Sequence, residues 1–319
     1  MGRFFDKDTL EGIKERNSKK FYEDQYTIAS TNYNFDDKNL AIMSDIHYHP
    51  RVDKDLYMLL IEYARRTEPD FIIMPGDMIE TNSFIDIGRE RDFFEWFIRS
   101  LSEICPVVMI PGNHEIHNLE VKTFFSKSSS KESIKGMNFL ESLTKFKDIY
   151  FLNNTELNLD GINFLGFSPS IETYLKRDER TMDLWKEEYA KANFKVNPDK
   201  YNVLLIHNSF PLTAIADSGD INDLNNYDLT ISGHWHDGYL FKWLDRFIRN
   251  PYLGLSGYPK IRLNSGIIYR GIQSFGRGYL FTSQGVRTWN ADIALFNLFE
   301  KICANDVERL TLTRKLKSN

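Results

Sequence analysis

Leu40-Ala41-Ile42-Met43-Ser44-Asp45-Ile46-His47-Tyr48-His49 is an apolar run that empties into an acid and two imidazoles. Leu40–Ser44 reads as a buried strand, with Asp45 and His47 just past its end. The same arrangement returns down the chain. Phe71–Met74 runs into Pro75-Gly76-Asp77, and Pro106–Ile110 into Pro111-Gly112-Asn113-His114-Glu115-Ile116-His117. Tyr201–Ile206 ends at His207-Asn208, and Leu229–Ser232 at Gly233-His234-Trp235-His236. Helical periodicity fills the first intervals. Asp53–Arg66 carries Leu56, Leu59, Leu60 and Tyr63 at helical spacing, and Glu90–Glu103 carries Phe93, Phe94, Trp96, Phe97 and Leu101. Strand, helix, strand, helix, strand predicts a parallel α/β sheet. The C-terminal ends of such strands share one edge, where ligands bind.

All seven histidines of the chain lie in these clusters. Asp, Asn and His side chains gathered at one edge suit a hard to borderline divalent metal. Asp45 and His47 are one residue apart, so in an extended segment both point to one side. His234 and His236 repeat that spacing, and Gly233 lets the backbone turn close to them. Asp77 has two oxygens and can bridge two cations. One ion can then take Asp45, His47, Asp77 and His236, and the other Asp77, Asn113, His207 and His234. Two ions sharing a carboxylate sit about 3.5–4 Å apart, a spacing that suits a hydroxide between them and two phosphoryl oxygens. Neither ion is saturated by protein, as catalysis requires.

The ordered series Asp45-x-His47, Gly76-Asp77, Gly112-Asn113-His114-Glu115, His207 and Gly233-His234-x-His236 resembles the calcineurin-like metallophosphoesterases over about residues 40–240. The resemblance implies an α/β four-layer αββα sandwich with two mixed β-sheets, and metal-dependent hydrolysis of phosphate esters. It implies Mn or Fe as the two divalent ions, with Zn also fitting the ligands. His114 looks like the family's proton donor to the leaving oxygen, or a stabiliser of phosphoryl charge. Gly278–Arg287 with Phe296–Glu300 is similar to the tail of bacterial phosphodiesterase members. On that resemblance alone the expected bond is a phosphodiester or pyrophosphate. A phosphomonoesterase, a nuclease and a non-catalytic metal-stabilised scaffold stand as alternatives; a scaffold would be expected to have lost ligands that this chain keeps.

Other residues near the motifs read two ways. His49 and His117 are surface or supporting groups, or contacts to substrate phosphate. Arg270, Arg277 and Arg287, in the Gly-rich closing strands, are solvated or hold substrate oxyanions. In Leu240–Arg249, Leu240, Trp243, Leu244 and Phe247 make one apolar helical face, continued by Pro251–Leu255. This basic amphipathic segment, inside an insertion at 239–265, is a lid, a peripheral membrane contact through 240–255, or core.

A chain of 319 residues with 42% hydrophobic content can fill a sizeable core, and nothing long or polar enough separates two domains. Residues 1–25 read as an N-terminal helix or mobile arm, and 26–319 as one domain. Tyr26–Ser30 is a first strand. Ser126–Ser133, rich in Ser and Lys, reads as a disordered loop. Leu157–Leu159 and Asn163–Phe167 flank Asp160-Gly161 as a hairpin; Asp178–Phe194 is a charged helix; Ile267–Arg270, Gly278–Ser283 and Arg309–Thr313 are closing strands. The net charge of -5 argues against general nucleic-acid binding. The expected partner is a small-molecule or lipid-linked phosphate ester. Cys105 and Cys303 fall in no metal spacing and read as free thiols. The polar Met1–Asp6, and the lack of any run of about 18 apolar residues, point to a cytoplasmic protein.

Overall fold

The computed structural model describes residues 21–30, 37–50, 54–80, 85–117, 130–175, 180–209, 226–234, 271–286 and 305–314. In chain order the first half carries β1 (Phe21–Ser30), β2 (Lys38–Ile42), α1 (Asp55–Thr67), β3 (Phe71–Met74), α2 (Gly88–Ser102), β4 (Val107–Met109), α3 (Asn113–His117), α4 (Ser130–Ser142) and β5 (Ile149–Phe151). The second carries β6 (Thr155–Leu159), β7 (Ile162–Phe167), α5 (Ile171–Leu175), α6 (Thr181–Ala192), β8 (Tyr201–Ile206), β9 (Leu229–Ser232), β10 (Gly271–Phe275), β11 (Gly278–Thr282) and β12 (Asn305–Arg314).

Two six-stranded sheets result, ordered β1-β12-β2-β3-β4-β5 and β10-β11-β9-β8-β7-β6. Strands β2 to β5 are parallel, as the strand–helix alternation predicts, and so are β7, β8, β9 and β11. Antiparallel pairs β12·β2, β6·β7 and β10·β11 make both sheets mixed. The β6–β7 hairpin turns at Asp160-Gly161, both with positive φ (45° and 82°), the twist a two-residue hairpin needs.

Alternation along the strands assigns the layers. Ala41, Ile72, Met74, Val107 and Met109 face one cluster with Leu60, Ile61, Phe93, Phe97 and Leu140 of α1, α2 and α4. Their neighbours Leu40, Ile42, Phe71, Ile73 and Val108 face the opposite way, against Phe164, Val203, Leu205, Leu229 and Ile231 of the second sheet. Leu165, Phe167, Leu204 and Ile206 turn outward onto Tyr174, Trp185 and Tyr189 of α5 and α6. Each central strand is thus covered on both faces, which is why it reads as an unbroken apolar run. The arrangement is helix, sheet, sheet, helix: the four-layer sandwich.

Several details differ from the sequence reading. β1 begins at Phe21, because Phe21–Gln25 continue the parallel register with Asn305–Arg309. Ser130–Ser133 lie in α4 rather than in a loop, since Phe139 and Leu140 of the same helix pack in the first core. On α1 the buried set is Tyr57, Met58, Leu60, Ile61, Tyr63 and Ala64, while Leu56 is only partly buried. Tyr57 turns the helix, meeting Tyr48, Phe93 and Phe97 edge-on at 5.0–5.6 Å between centroids. Residues 1–20, 239–265 and Ile267–Arg270 lie outside the described residues.

Phe164 sits fully buried between the sheets, edge-on to Phe71 at 5.3 Å. Phe164→Ala is expected to cost about 3–5 kcal/mol in urea unfolding. A loss below about 1 kcal/mol would contradict a close-packed layer there.

Candidate metal centre

The edge where β2, β3, β4, β8 and β9 end brings together Asp45, His47, Asp77, Asn113, His114, His207 and His234. The backbone reaches this arrangement by turning, not by extending. Asp45, His47, Asp77 and His234 all have positive φ (54°, 49°, 50° and 77°). Non-glycine residues rarely adopt it, and such strain persists only where surrounding structure enforces it. Here the loops after β2 and β3 hold each other: the Asp45 N–H donates to Gly76 O, His47 N–H to Asp77 O and Tyr48 N–H to Met78 O, at 2.8–3.1 Å. Asp45 and His47 therefore converge through two left-handed turns around buried Ile46, not through the extended i, i+2 spacing.

The Asp77 carboxylate lies at the middle. Its Oδ1 accepts the His114 N–H at 2.8 Å. Its Oδ2 is 3.0 Å from His207 Nε2, 3.8 Å from His47 Nε2 and 4.0 Å from His114 Nε2. Gly76 (φ 97°) keeps the loop beside it open, since a Cβ there would fall 2.6 Å from His207 Nδ1.

Two donor groups share this carboxylate. Asp77, His207 and His234 each offer one atom within 4.8 Å of the others, and so do His47, Asp77 and His114. Asn113 joins the first group, its Oδ1 being 3.1 Å from His207 Nε2. Asp45 Oδ1 is 3.9 Å from His47 Nε2 on the other side. Asp45 also accepts the His234 N–H at 3.0 and 3.1 Å and the Ser44 hydroxyl, tying the two groups together.

The ring orientations fit a metal. His207 donates from Nδ1 to Pro75 O at 2.8 Å, and His47 from Nδ1 to Glu80 Oε2 at 2.7 Å. Each ring thereby aims Nε2 inward, as outer hydrogen bonds do for ligating histidines. His207 Nε2 also faces His234 Nδ1 at 3.2 Å, where only a proton or a cation can relieve two opposed lone pairs.

Electrostatics agree. Burial opposes charge on His47, but the Glu80 hydrogen bond and the Glu80, Asp77 and Asp45 carboxylates outweigh it, pushing its pKa up to about 9. His207 likewise rises to about 9 against burial, chiefly through Asp77. Burial works to raise Asp77, yet His207, His114 and His47 hold it well below the usual carboxylate range. Asp45 is raised, mainly by burial.

Sequence reasoning passed over one acid, Glu80. Glu80 binds His47 and lies 3.5 Å from His114 Nδ1, which its own carbonyl approaches at 3.2 Å. Its place three residues after Asp77 was the available signal. Glu115, from the same motif as Asn113 and His114, is fully buried and accepts the loop N–H groups of Asp77, Ile79 and Gly112 at 3.0, 2.7 and 2.6 Å. Burial and the nearby Asp77 charge push it up to about 7 against those bonds.

His49, half-buried, follows Tyr48 on the same loop. His117 ends α3. The structure does not bring Arg277 to the centre. β11 runs parallel to β9, so the residue before β11 lies at the opposite edge, and exposed Arg277 faces Asp228 there at 3.7 Å. His236, Arg270, Arg287 and the 240–255 segment lie outside the described residues. Among the described residues no helix is long and apolar enough to cross a membrane.

The two sheets thus close on a carboxylate that stands between two groups of candidate metal donors. A model of the calcineurin-like phosphoesterase family matches residues 38–238, and the chain belongs to that family. An uncharacterized metallophosphoesterase of Campylobacter jejuni is 23% identical over 273 residues, 84% of this chain and 59% of that protein. One from Helicobacter pylori is 27% identical over 74% of this chain and 56% of its own length. The chain thus spans little more than half the length of these curated relatives. Among solved structures, a dimetal phosphatase from Danio rerio overlaps 79% of this chain and 88% of that one, at 13% identity and a TM-score of 0.39.

Metal must displace the protons that His47 and His207 carry below their raised pKa of about 9. Affinity for Mn²⁺ should therefore climb from about pH 6 to about pH 8, with protons released into the buffer. Calorimetry in buffers of different ionisation enthalpy measures both; an affinity independent of pH would contradict this charge state.

Proposed function

We infer that this chain is a dinuclear-metal phosphoesterase acting on a phosphodiester or pyrophosphate-type bond. The observation that carries the reading is the Asp77 carboxylate standing between two groups of inward-aimed donors. Asp45 and His47 would hold one ion, and Asn113, His207 and His234 the other, with Asp77 common to both. His236 is proposed to complete the first set. Bound divalent ions would activate water for in-line attack on phosphorus and neutralise the phosphoryl oxygens. Manganese or iron suits these ligands best, and zinc also fits.

His114 serves as proton donor to the leaving oxygen. Its Nδ1 is anchored at Glu80 and its ring stands edge-on to His47, 4.5 Å between centroids, so Nε2 is held at the rim of the centre. Asp45 is available for the ligand position that His114 would otherwise take. Glu80 sets the orientation of both rings. The preference for a diester over a monoester rests on family resemblance; a cytoplasmic setting rests on the polar N-terminus and the lack of long apolar runs, and a lipid-linked substrate at a membrane surface on the amphipathic 240–255 segment.

Bis-p-nitrophenyl phosphate should be hydrolysed faster than p-nitrophenyl phosphate with Mn²⁺, and neither by metal-stripped protein; the reverse preference would make the chain a monoesterase. His114→Ala should keep both ions and lose about 10²- to 10⁴-fold in kcat. Loss of an ion in that variant would make His114 a ligand instead, and full activity would remove it from catalysis.

A further inference from the structure

Glu308 is a buried acid on β12, far in sequence from every candidate metal ligand, yet β12 is paired so that Glu308 lies opposite Ile42, the last residue of β2. Burying a carboxylate is costly unless its oxygens are bonded. Both are: Oε2 accepts the Ser283 hydroxyl at 2.8 Å, and Oε1 the Gln284 N–H at 2.6 Å. Those donors begin a short strap, residues 283–286, that follows β11. Ser283 Oγ in turn accepts the Gly285 N–H at 3.1 Å, and Gln284 Nε2 donates to Asp24 Oδ2 at 2.9 Å.

The strap joins the two sheets where their ligands emerge. The Ser283 N–H donates to Ser232 O, two residues before His234, at 2.8 Å. The Val286 N–H donates to Ser44 O, the residue before Asp45, at 2.7 Å. Between these anchors Gly285, at φ 85°, is pressed against Asp45; a Cβ there would come 2.9 Å from Asp45 Cβ. Asp45 holds a left-handed backbone that needs such support.

We propose that Glu308 is a positioning residue for the Asp45–His47 half of the metal centre, acting by fastening the 283–286 strap behind Asp45. The inference rests on the functional reading above. Removing Glu308 leaves Ser283 and Gln284 donors buried without an acceptor. The strap then shifts and Asp45 loses its backing. Asp77, Asn113 and His207 sit on other loops and keep their places. Because Asp45 also accepts the His234 N–H, the defect should fall mainly on the first ion and only slightly on the second.

The test is Mn²⁺ titration of the full chain by calorimetry, with electron paramagnetic resonance separating single from coupled ions. Wild type should take two ions. Glu308→Ala should keep one ion near wild-type affinity and bind the other roughly 10- to 100-fold more weakly, the cost typical of losing an outer support. Ser283→Ala should show the same asymmetry to a lesser degree, and decides the matter if Glu308→Ala does not fold. Glu308→Gln, which keeps one acceptor oxygen, should fall between. Variants that melt earlier yet bind both ions like wild type would overturn the proposal and leave the phosphoesterase reading standing. A wild-type protein that takes fewer than two ions would overturn both.

Discussion

The Asp77 carboxylate is nearly inaccessible to water, with one oxygen on a backbone N–H and the other among three imidazoles. A buried charge in that position must be compensated, and three imidazoles from both sheets do so. His207 comes from the second sheet, His47 and His114 from loops of the first. The Asp77 N–H is itself held by Glu115, and its carbonyl by the His47 N–H. Moving Asp77 would break contacts to both sheets at once. The sandwich can thus be read as a device for holding one carboxylate between two sets of donors.

The strain needed to do this is concentrated in the loops rather than in the strands. Four of the site residues adopt backbone conformations unfavourable to side chains, and each lies within a few residues of a fully buried strand. Rigid strands are what make such turns affordable, because the layer packing fixes where each loop begins. The buried acids Glu80, Glu115 and Glu308 then lock the loops by bonding to rings or to backbone N–H groups. None of the three need touch substrate to matter for the chemistry.

Much of this was legible in the sequence because apolar runs and ligand types coincide. Phe71–Met74, Tyr201–Ile206 and Leu229–Ser232 have the same limits in the sequence reading and in the structure, since strands buried on both faces leave unbroken hydrophobic runs. The gathering of Asp45, Asp77, Asn113, His207 and His234 followed from strand direction alone. What was not legible depends on contacts between distant residues. The left-handed turns at Asp45 and His47 come from hydrogen bonds to the 76–78 loop, which no local pattern announces. The start of β1 at Phe21 depends on a partner strand nearly three hundred residues away. Arg277, read from the closing strands as solvated or holding substrate oxyanions, is carried to the far edge by the direction of β11. Nothing local to Glu308 announces its burial, which follows from the pairing of its strand with β2.

The claim on which the rest stands is that Asp77 is common to two cations. An anomalous difference map at the manganese edge, from crystals grown with Mn²⁺, measures this most directly. Two peaks about 3.5–4 Å apart on either side of the Asp77 carboxylate are expected. A single peak, or two peaks of which only one touches Asp77, would contradict the account.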